Sequence, residues 1–254
     1  MDFASVHWYA PGNTTGVSLT SLPTVPETEI PAMCTRAHNA IAAVSACPNG
    51  ATMPIAITEW GPNTNGGGIT IPMSTATAAP AGSQNAGLFA VESYANFMEQ
   101  NALAVHWLEL HNNSYLAGID ATNDPFTTMN DTWRWGYKAA VLAHFLAGGG
   151  DKMVTAAQSG TFGAALKTHA SVHANGDIAV MMTNTNRNNP ANVTLNVTGG
   201  NMLGCVGKRY VYSPVNTDQD GPLTGDWIFS NSTGSSVPVL VPPYYSVVVV
   251  FPKR

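Results

Sequence analysis

The residues best suited to chemistry stand at three places where an apolar run stops. His7 and Tyr9 close the run Phe3–Tyr9, Glu59 and Trp60 follow Pro54-Ile55-Ala56-Ile57-Thr58, and Trp107 and Glu109 lie near the end of Ala102–Leu110. Glu59 is the most informative of them. Ile55, Ala56 and Ile57 have the apolar character of a buried strand, and Gly61-Pro62 breaks it. A carboxylate at such a strand end is costly to bury without a task or a partner. Two readings follow from this stretch: a working carboxylate, able to act as nucleophile or in proton transfer, or a structural one that accepts loop amides or caps the next helix. His7 and Tyr9 supply hydrogen-bond donors for the first reading.

The elements that must position these residues repeat one grammar. Phe3–Tyr9 alternates like a strand and breaks at Ala10-Pro11-Gly12. After a loop punctuated by Pro23, Pro26 and Pro31, the segment Ile30–Ser45 has helical spacing at Met33, Ala37, Ile41 and Val44. The Glu59 strand comes next, then a Gly/Thr/Ala/Pro loop over 62–82. Ser83–Gln100 is a second helix with Leu88, Val91, Tyr94, Ala95 and Met98 on one stripe. Ala102–Leu110 is a third strand, and Trp135–Ala147 a third helix closed by three glycines. Strand–helix repetition of this kind builds parallel sheets or barrels. In barrels the catalytic groups sit at the C-terminal ends of the strands. Those ends are where His7, Tyr9, Glu59, Trp60, Trp107 and Glu109 fall.

From about Asp151 the pattern changes to short strands separated by turns: Phe162–His173, Asp177–Asn184, Ala191–Val197, Gly207–Tyr212, Trp227–Phe229, Val237–Val241 and Tyr244–Phe251. Asn175-Gly176 between two of them is a hairpin signal. The spacing suggests an antiparallel β-sandwich, with Val247–Val250 buried on both faces. The expected division is therefore residues 1–150 and residues 151–254.

Composition narrows the partners. Of 254 residues, 44% are hydrophobic but only 10% charged, against about a quarter charged in an ordinary soluble domain. The surface thus relies on amides and hydroxyls. With a formal net charge of −5 and no Lys/Arg cluster, neither nucleic acid nor an anionic membrane is expected as a partner. A neutral polar surface with six tryptophans suits sugars better. No apolar run reaches the ~18 residues of a membrane span. The first residues lack the basic and apolar regions of a signal peptide and enter strand-like sequence at once, as the middle of a larger protein would. Cys34 and Cys47 flank the first helix, with a disulfide or two free thiols both open. Asn-x-Ser/Thr triplets begin at Asn13, Asn112, Asn130, Asn192, Asn196 and Asn231. The histidines lack zinc-ligand spacing, so no metal and no cofactor are expected. There is no Gly-x-Ser-x-Gly elbow and no phosphate loop.

Three stretches together carry a family resemblance. Asp2-Phe3-Ala4-Ser5-Val6-His7-Trp8-Tyr9, Pro54-Ile55-Ala56-Ile57-Thr58-Glu59-Trp60-Gly61 and Val105-His106-Trp107 resemble the sixth, seventh and eighth strands of clan A glycoside hydrolases. They are most similar to the family 39 and 51 type, β-xylosidases and α-L-arabinofuranosidases, with families 5, 30, 44 and 79 as neighbours. Tyr244–Val250 is similar to the last strand of the β-sandwich that several of these enzymes carry. The resemblance implies the last three βα units of a (β/α)8, TIM-type barrel followed by a sandwich, and retaining hydrolysis of plant cell-wall glycans such as arabinofuranosides, xylosides or β-glucans. It implies Glu59 as nucleophile and His7 and Tyr9 as residues that hold it or touch the sugar. Trp107 then becomes an aromatic platform, with Trp60 and Glu109 near the same rim. A secreted or periplasmic setting goes with that substrate.

The bland alternatives stay beside it. His7 and His106 can be structural histidines, Trp8, Trp60 and Tyr9 can close the rim, Glu109 can be a structural acceptor, and Trp133 and Trp135 can pack the last helix. The chain also departs from the family. Retaining hydrolysis needs a second carboxyl about 5–5.5 Å from the first, which the family places on the fourth strand after an Asn. No Asn-Glu pair occurs in this sequence, so the acid/base is expected before residue 1. Glu109 is the internal substitute, followed by Asp120 and Asp124. Two other classes remain: a carbohydrate-binding remnant without turnover, and an esterase using Ser/His groups.

A three-unit barrel leaves open sheet edges and an uncovered core. The chain is accordingly expected to self-associate, a second copy covering the missing strands. Static light scattering should give a mass above one chain, and a monodisperse monomer would contradict the expectation.

Overall fold

In the computed structural model the described residues are 3–10, 21–44, 47, 49–61, 80–107, 111–112, 119–120, 132–133, 135–198, 203–213, 225–231 and 235–254. They form two compact units, Met1–Tyr137 and Lys138–Arg254.

The first unit is built on a three-stranded parallel sheet, β1 (Ala4–Tyr9), β2 (Ile55–Gly61) and β3 (Ala104–Trp107), with β2 in the middle. Helix α1 (Pro26–Ala42) joins β1 to β2, and α2 (Pro80–Glu99) joins β2 to β3. Helix α1 starts at Pro26 rather than at Ile30. Pro26 has a backbone preset for the first helical turn, where its missing N–H costs nothing. Glu27 and Glu29 favour that positive helix end. Pro31 lies inside the helix instead of ending the loop. The apolar stripe is buried at Ile30, Met33 and Cys34, whereas Val44 beyond its end is 51% exposed. After α1 the chain doubles back at Gly50, where a Cβ would meet the Ala42 backbone nitrogen at 2.6 Å. Only a glycine allows so close an approach.

Helix α2 is enclosed on most of its surface, polar residues such as Glu92, Ser93 and Asn96 included. Leu88, Phe89, Ala90, Val91, Ala95 and Phe97 are fully buried. Two of its buried polar side chains bond back to the helix backbone: Ser93 Oγ donates to Phe89 O at 2.7 Å and Asn96 Nδ2 to Glu92 O at 2.9 Å. Three two-residue strands follow: β4 (His111–Asn112), β5 (Ile119–Asp120) and β6 (Thr132–Trp133).

The second unit contains most of α3 (Trp135–Leu146) and, among the described residues, eight strands: β7 (Lys152–Val154), β8 (Leu166–Val172), β9 (Ile178–Asn184), β10 (Ala191–Asn196), β11 (Val206–Tyr212), β12 (Gly225–Phe229), β13 (Ser236–Val241) and β14 (Ser246–Phe251). Six of them form one antiparallel sheet in the order β12-β11-β14-β9-β8-β7, and β10 pairs with β13 in a ribbon. The two sheets share one core. Leu166, Ile178, Met182, Val247, Val249 and Phe251 come from the large sheet, and Ala191, Val237, Val239 and Val241 from the ribbon. The valine run occupies the central strand, where Val247, Val248 and Val249 are buried, as its lack of alternation requires. Gly176 has φ +91° and turns the β8–β9 hairpin. Tyr244, expected to open the last strand, instead has φ +64°, so β14 begins at Ser246. Arg187 holds Tyr244 through a 2.9 Å hydrogen bond from Nη2 to its hydroxyl.

The division between units falls inside α3, earlier than the 150/151 boundary read from the sequence. The C-terminal half of that helix is tied to the strands after it. Ser171 Oγ donates to Leu146 O, His173 Nε2 lies 2.9 Å from the same carbonyl, and Phe145 stacks on Tyr210 at 3.6 Å.

Cys34, Cys47 and Cys205 are free thiols, which settles the pairing left open by the sequence. Burial pushes the Cys34 thiol above its ordinary pKa, so its reactive thiolate fraction falls at any given pH. Alkylation at pH 8 followed by mass spectrometry should label exposed Cys205 rapidly and Cys34 only when the chain is unfolded. Equal labelling of the two in the native chain would contradict the packing of α1.

Candidate active site

The site depends on one extra residue in β2. Along β1 the pairing runs Ser5 with Ala56 and Val6 with Ile57, and then skips to His7 with Glu59. On the other side Ile57 pairs with Val105 and Trp60 with Trp107. Both neighbouring strands thus find β2 one residue longer, a bulge at Thr58 and Glu59. In an unbroken strand Ser5, Ala56 and Thr58 would share a face and Glu59 would turn towards α2. The bulge reverses that parity. Thr58 Oγ1 lies 2.5 Å from Ser5 Oγ, and Glu59 joins the same face as His7 and Tyr9.

On that face Tyr9 donates its hydroxyl hydrogen to Glu59 Oε1. The other carboxylate oxygen, Oε2, lies 3.4 Å from His7 Nδ1. Gly61 pairs with Tyr9, and the Tyr9 ring lies 3.7 Å from where a Cβ would stand. A larger residue at 61 would press on the ring that reaches back to Glu59. The Glu59 side chain is 30% exposed and that of His7 56%. The carboxylate is therefore open to solvent on one side and aimed by a phenol and an imidazole on the other. Such a group can attack an electrophilic carbon or accept a proton. Among the described residues no group of three or more His, Cys, Asp and Glu could hold a metal ion.

Trp60 does not join them. Expected near the substrate, it is fully buried, because the bulge turns it to the helix side. It meets Tyr94 at 4.8 Å and Phe97 at 5.4 Å, both edge-on, and Phe89 at 6.1 Å. Burial in this cluster pushes the Tyr94 phenol well above its ordinary pKa. Trp107 pairs with Trp60 and packs edge-to-face on it at 4.4 Å. Its ring also comes within 3.3 Å of a Cβ position at Gly136. It is half-buried and on the face opposite Glu59, not beside it. Glu109 and Asp124 lie outside the described residues, as does the side chain of Asp120.

The sequence reading missed Ser5 and Thr58. A signal was present: Ile57 and Trp60 are both helix-facing apolar residues three positions apart, a spacing that a strictly alternating strand cannot satisfy.

With this geometry in place, the fold can be compared with known proteins. No family model matches the chain, and no curated protein sequence matches it. Solved structures do. The family 44 xyloglucanase of Paenibacillus polymyxa is 12% identical with a TM-score of 0.65 over 99% of this chain and 47% of that one. The α-L-arabinofuranosidase of Thermotoga maritima is 14% identical with a TM-score of 0.65 over 100% and 53%. CelM2, a bifunctional glucanase-xylanase from a metagenome library, is 17% identical with a TM-score of 0.62 over 100% and 44%. The chain therefore shares its fold with these solved structures and spans about half their length. No described helix is long and apolar enough to cross a membrane.

The packing role of Trp60 and the site role of His7 are separable by stability. Trp60→Ala removes a fully enclosed indole and should cost about 3–5 kcal/mol in urea unfolding. His7→Ala, on an exposed side chain, should change stability by less than about 1 kcal/mol. Similar losses in the two variants would mean that Trp60 is not the packing centre described.

Proposed function

We propose that this chain carries the nucleophile-bearing part of a retaining glycoside hydrolase: the last βα units of a (β/α)8 barrel, followed by a β-sandwich. The observation that carries the reading is Glu59 at the end of a parallel strand, turned onto the solvent-facing side by the Thr58 bulge and held by Tyr9 and His7. The low-charge, Asn/Thr/Ser-rich composition and the glycosidase fold of the structural neighbours support it.

In this reading Glu59 attacks the anomeric carbon of a glycoside while a protonated carboxyl gives its hydrogen to the leaving oxygen. A covalent glycosyl–enzyme ester forms, and water, activated by the second carboxylate, then releases the sugar with its configuration retained. The Tyr9 hydroxyl and His7 Nδ1 orient the two Glu59 oxygens, so that one lone pair meets the sugar without a search over rotamers. The acid/base carboxyl is assigned to the fourth strand of the full barrel, in keeping with neighbours whose chains are about twice as long. Substrates are plant cell-wall-type glycans: xylosides, arabinofuranosides or β-glucans. A binding-only role is the second reading, favoured by the single carboxylate that the described residues bring to this face.

The test is a panel of activated aryl glycosides, whose leaving groups depart without an acid, with saccharide binding measured beside it, run on wild type and Glu59→Gln in parallel. Glu59→Gln should lower kcat by about 10³-fold, equivalent to roughly 4 kcal/mol. Tyr9→Phe, which removes a hydrogen bond to a charged oxygen worth about 1.5–3 kcal/mol, should lower it about 10- to 100-fold. Equal hydrolysis by wild type and Glu59→Gln would overturn the assignment. Saccharide binding without turnover, unchanged in Glu59→Gln, would establish the binding role instead.

A further inference from the structure

We propose that His106, not Trp107, is the β3 side chain that meets the sugar at this site. The inference rests on the glycosidase reading above and names a substrate contact that the resemblance did not supply. Val105 pairs with Ile57 and Trp107 with Trp60. Both β2 partners are fully buried on the side covered by α2, so Val105 and Trp107 belong to that side. His106 lies between them and takes the opposite face. That face already carries Ser5, His7, Tyr9, Thr58 and Glu59.

Exposure agrees with the register. Ala104, Val105 and Trp107 are half-buried, whereas His106 is exposed. It also stands beside the part of β2 that the bulge lengthens, since two β2 residues, Thr58 and Glu59, face the one gap between Val105 and Trp107. Glu59 is thus flanked by an imidazole from each neighbouring strand, His7 from β1 and His106 from β3.

The chemistry of the pair suits a saccharide. A neutral imidazole offers one donor and one acceptor, the same combination as a sugar hydroxyl. Adjacent strands lie about 4.8 Å apart, close to the width of a pyranose ring. A sugar with its anomeric carbon at the Glu59 carboxylate therefore brings hydroxyls over β3, where His106 is the exposed polar group. Trp107 serves instead as part of the wall that fixes Trp60 and, through it, the back of β2.

Histidine ring NMR of the intact chain, titrated with xylobiose, cellobiose and L-arabinose, tests this directly, with His7→Gln and His106→Gln used for assignment. The His7 and His106 ring signals should move together and saturate with at least one of the three sugars, while those of His38, His144 and His173 stay fixed. His106→Ala should weaken that binding roughly five- to tenfold without changing the melting temperature, whereas Trp107→Ala should lower it. A His106 signal that stays still while His7 moves, or no response to any of the three sugars, overturns the proposal. The glycosidase reading fails separately, if Glu59→Gln hydrolyses glycosides as well as wild type does. Loss of hydrolysis in Glu59→Gln together with a silent His106 ring would remove only the present inference.

Discussion

The parity of β2 governs the first unit. A β-strand offers two faces, and successive residues have no choice between them unless a residue is inserted. Trp60 faces α2, where it packs against Phe89 and Phe97, and Ile57, fully buried and paired with Val6 two residues before Trp8, takes the same side. Glu59 must face away from it, because an ionised carboxylate among those rings would lack both water and partners. Regular alternation cannot satisfy both demands across three positions. The bulge at Thr58 does, and the Ser5–Thr58 hydroxyl contact closes over the extra residue.

That arrangement divides the labour among adjacent residues. Trp60 and Glu59 are neighbours in the chain, yet one anchors the sheet to α2 and the other faces solvent beside Tyr9 and His7. The enclosed indole gives β2 a fixed rotation about its own axis, which in turn fixes the direction of the carboxylate. Packing and chemistry are therefore coupled through a single peptide bond. A change in the aromatic cluster behind the sheet would be felt at the site as misalignment, without any contact to a ligand.

Much of this was legible in the sequence, and the failures have identifiable causes. Apolar runs and turn residues located β1, β2, β8, β9 and β14, and Asn175-Gly176 announced a turn that the φ of +91° at Gly176 bears out. Tyr9 and His7 stand beside Glu59. Trp60 and Trp107 were placed with the substrate because residue type suggested a platform, while the face each ring takes depends on a bulge that residue type does not reveal. Pro31 read as loop punctuation, since a proline inside a helix removes a hydrogen bond, but here a helix already begun at Pro26 continues through it. Tyr244 read as the start of a strand because tyrosine favours strands, whereas Arg187 and the turn hold it in a left-handed conformation.

The central position of β14 has a further consequence for how the second unit comes into being. Its hydrogen-bonded neighbours, β9 and β11, both precede it in the chain, so the large sheet stays split in two while those strands emerge from the ribosome. Its apolar run has few charges to keep it apart from other chains in that interval, and segments of this kind associate readily when left unpaired. Such long-range pairing is slow by its nature. The order of the strands thus makes the arrival of Ser246–Phe251 the event that joins the halves of the sheet, and makes the time before it the unit's period of greatest exposure to aggregation and to chaperones.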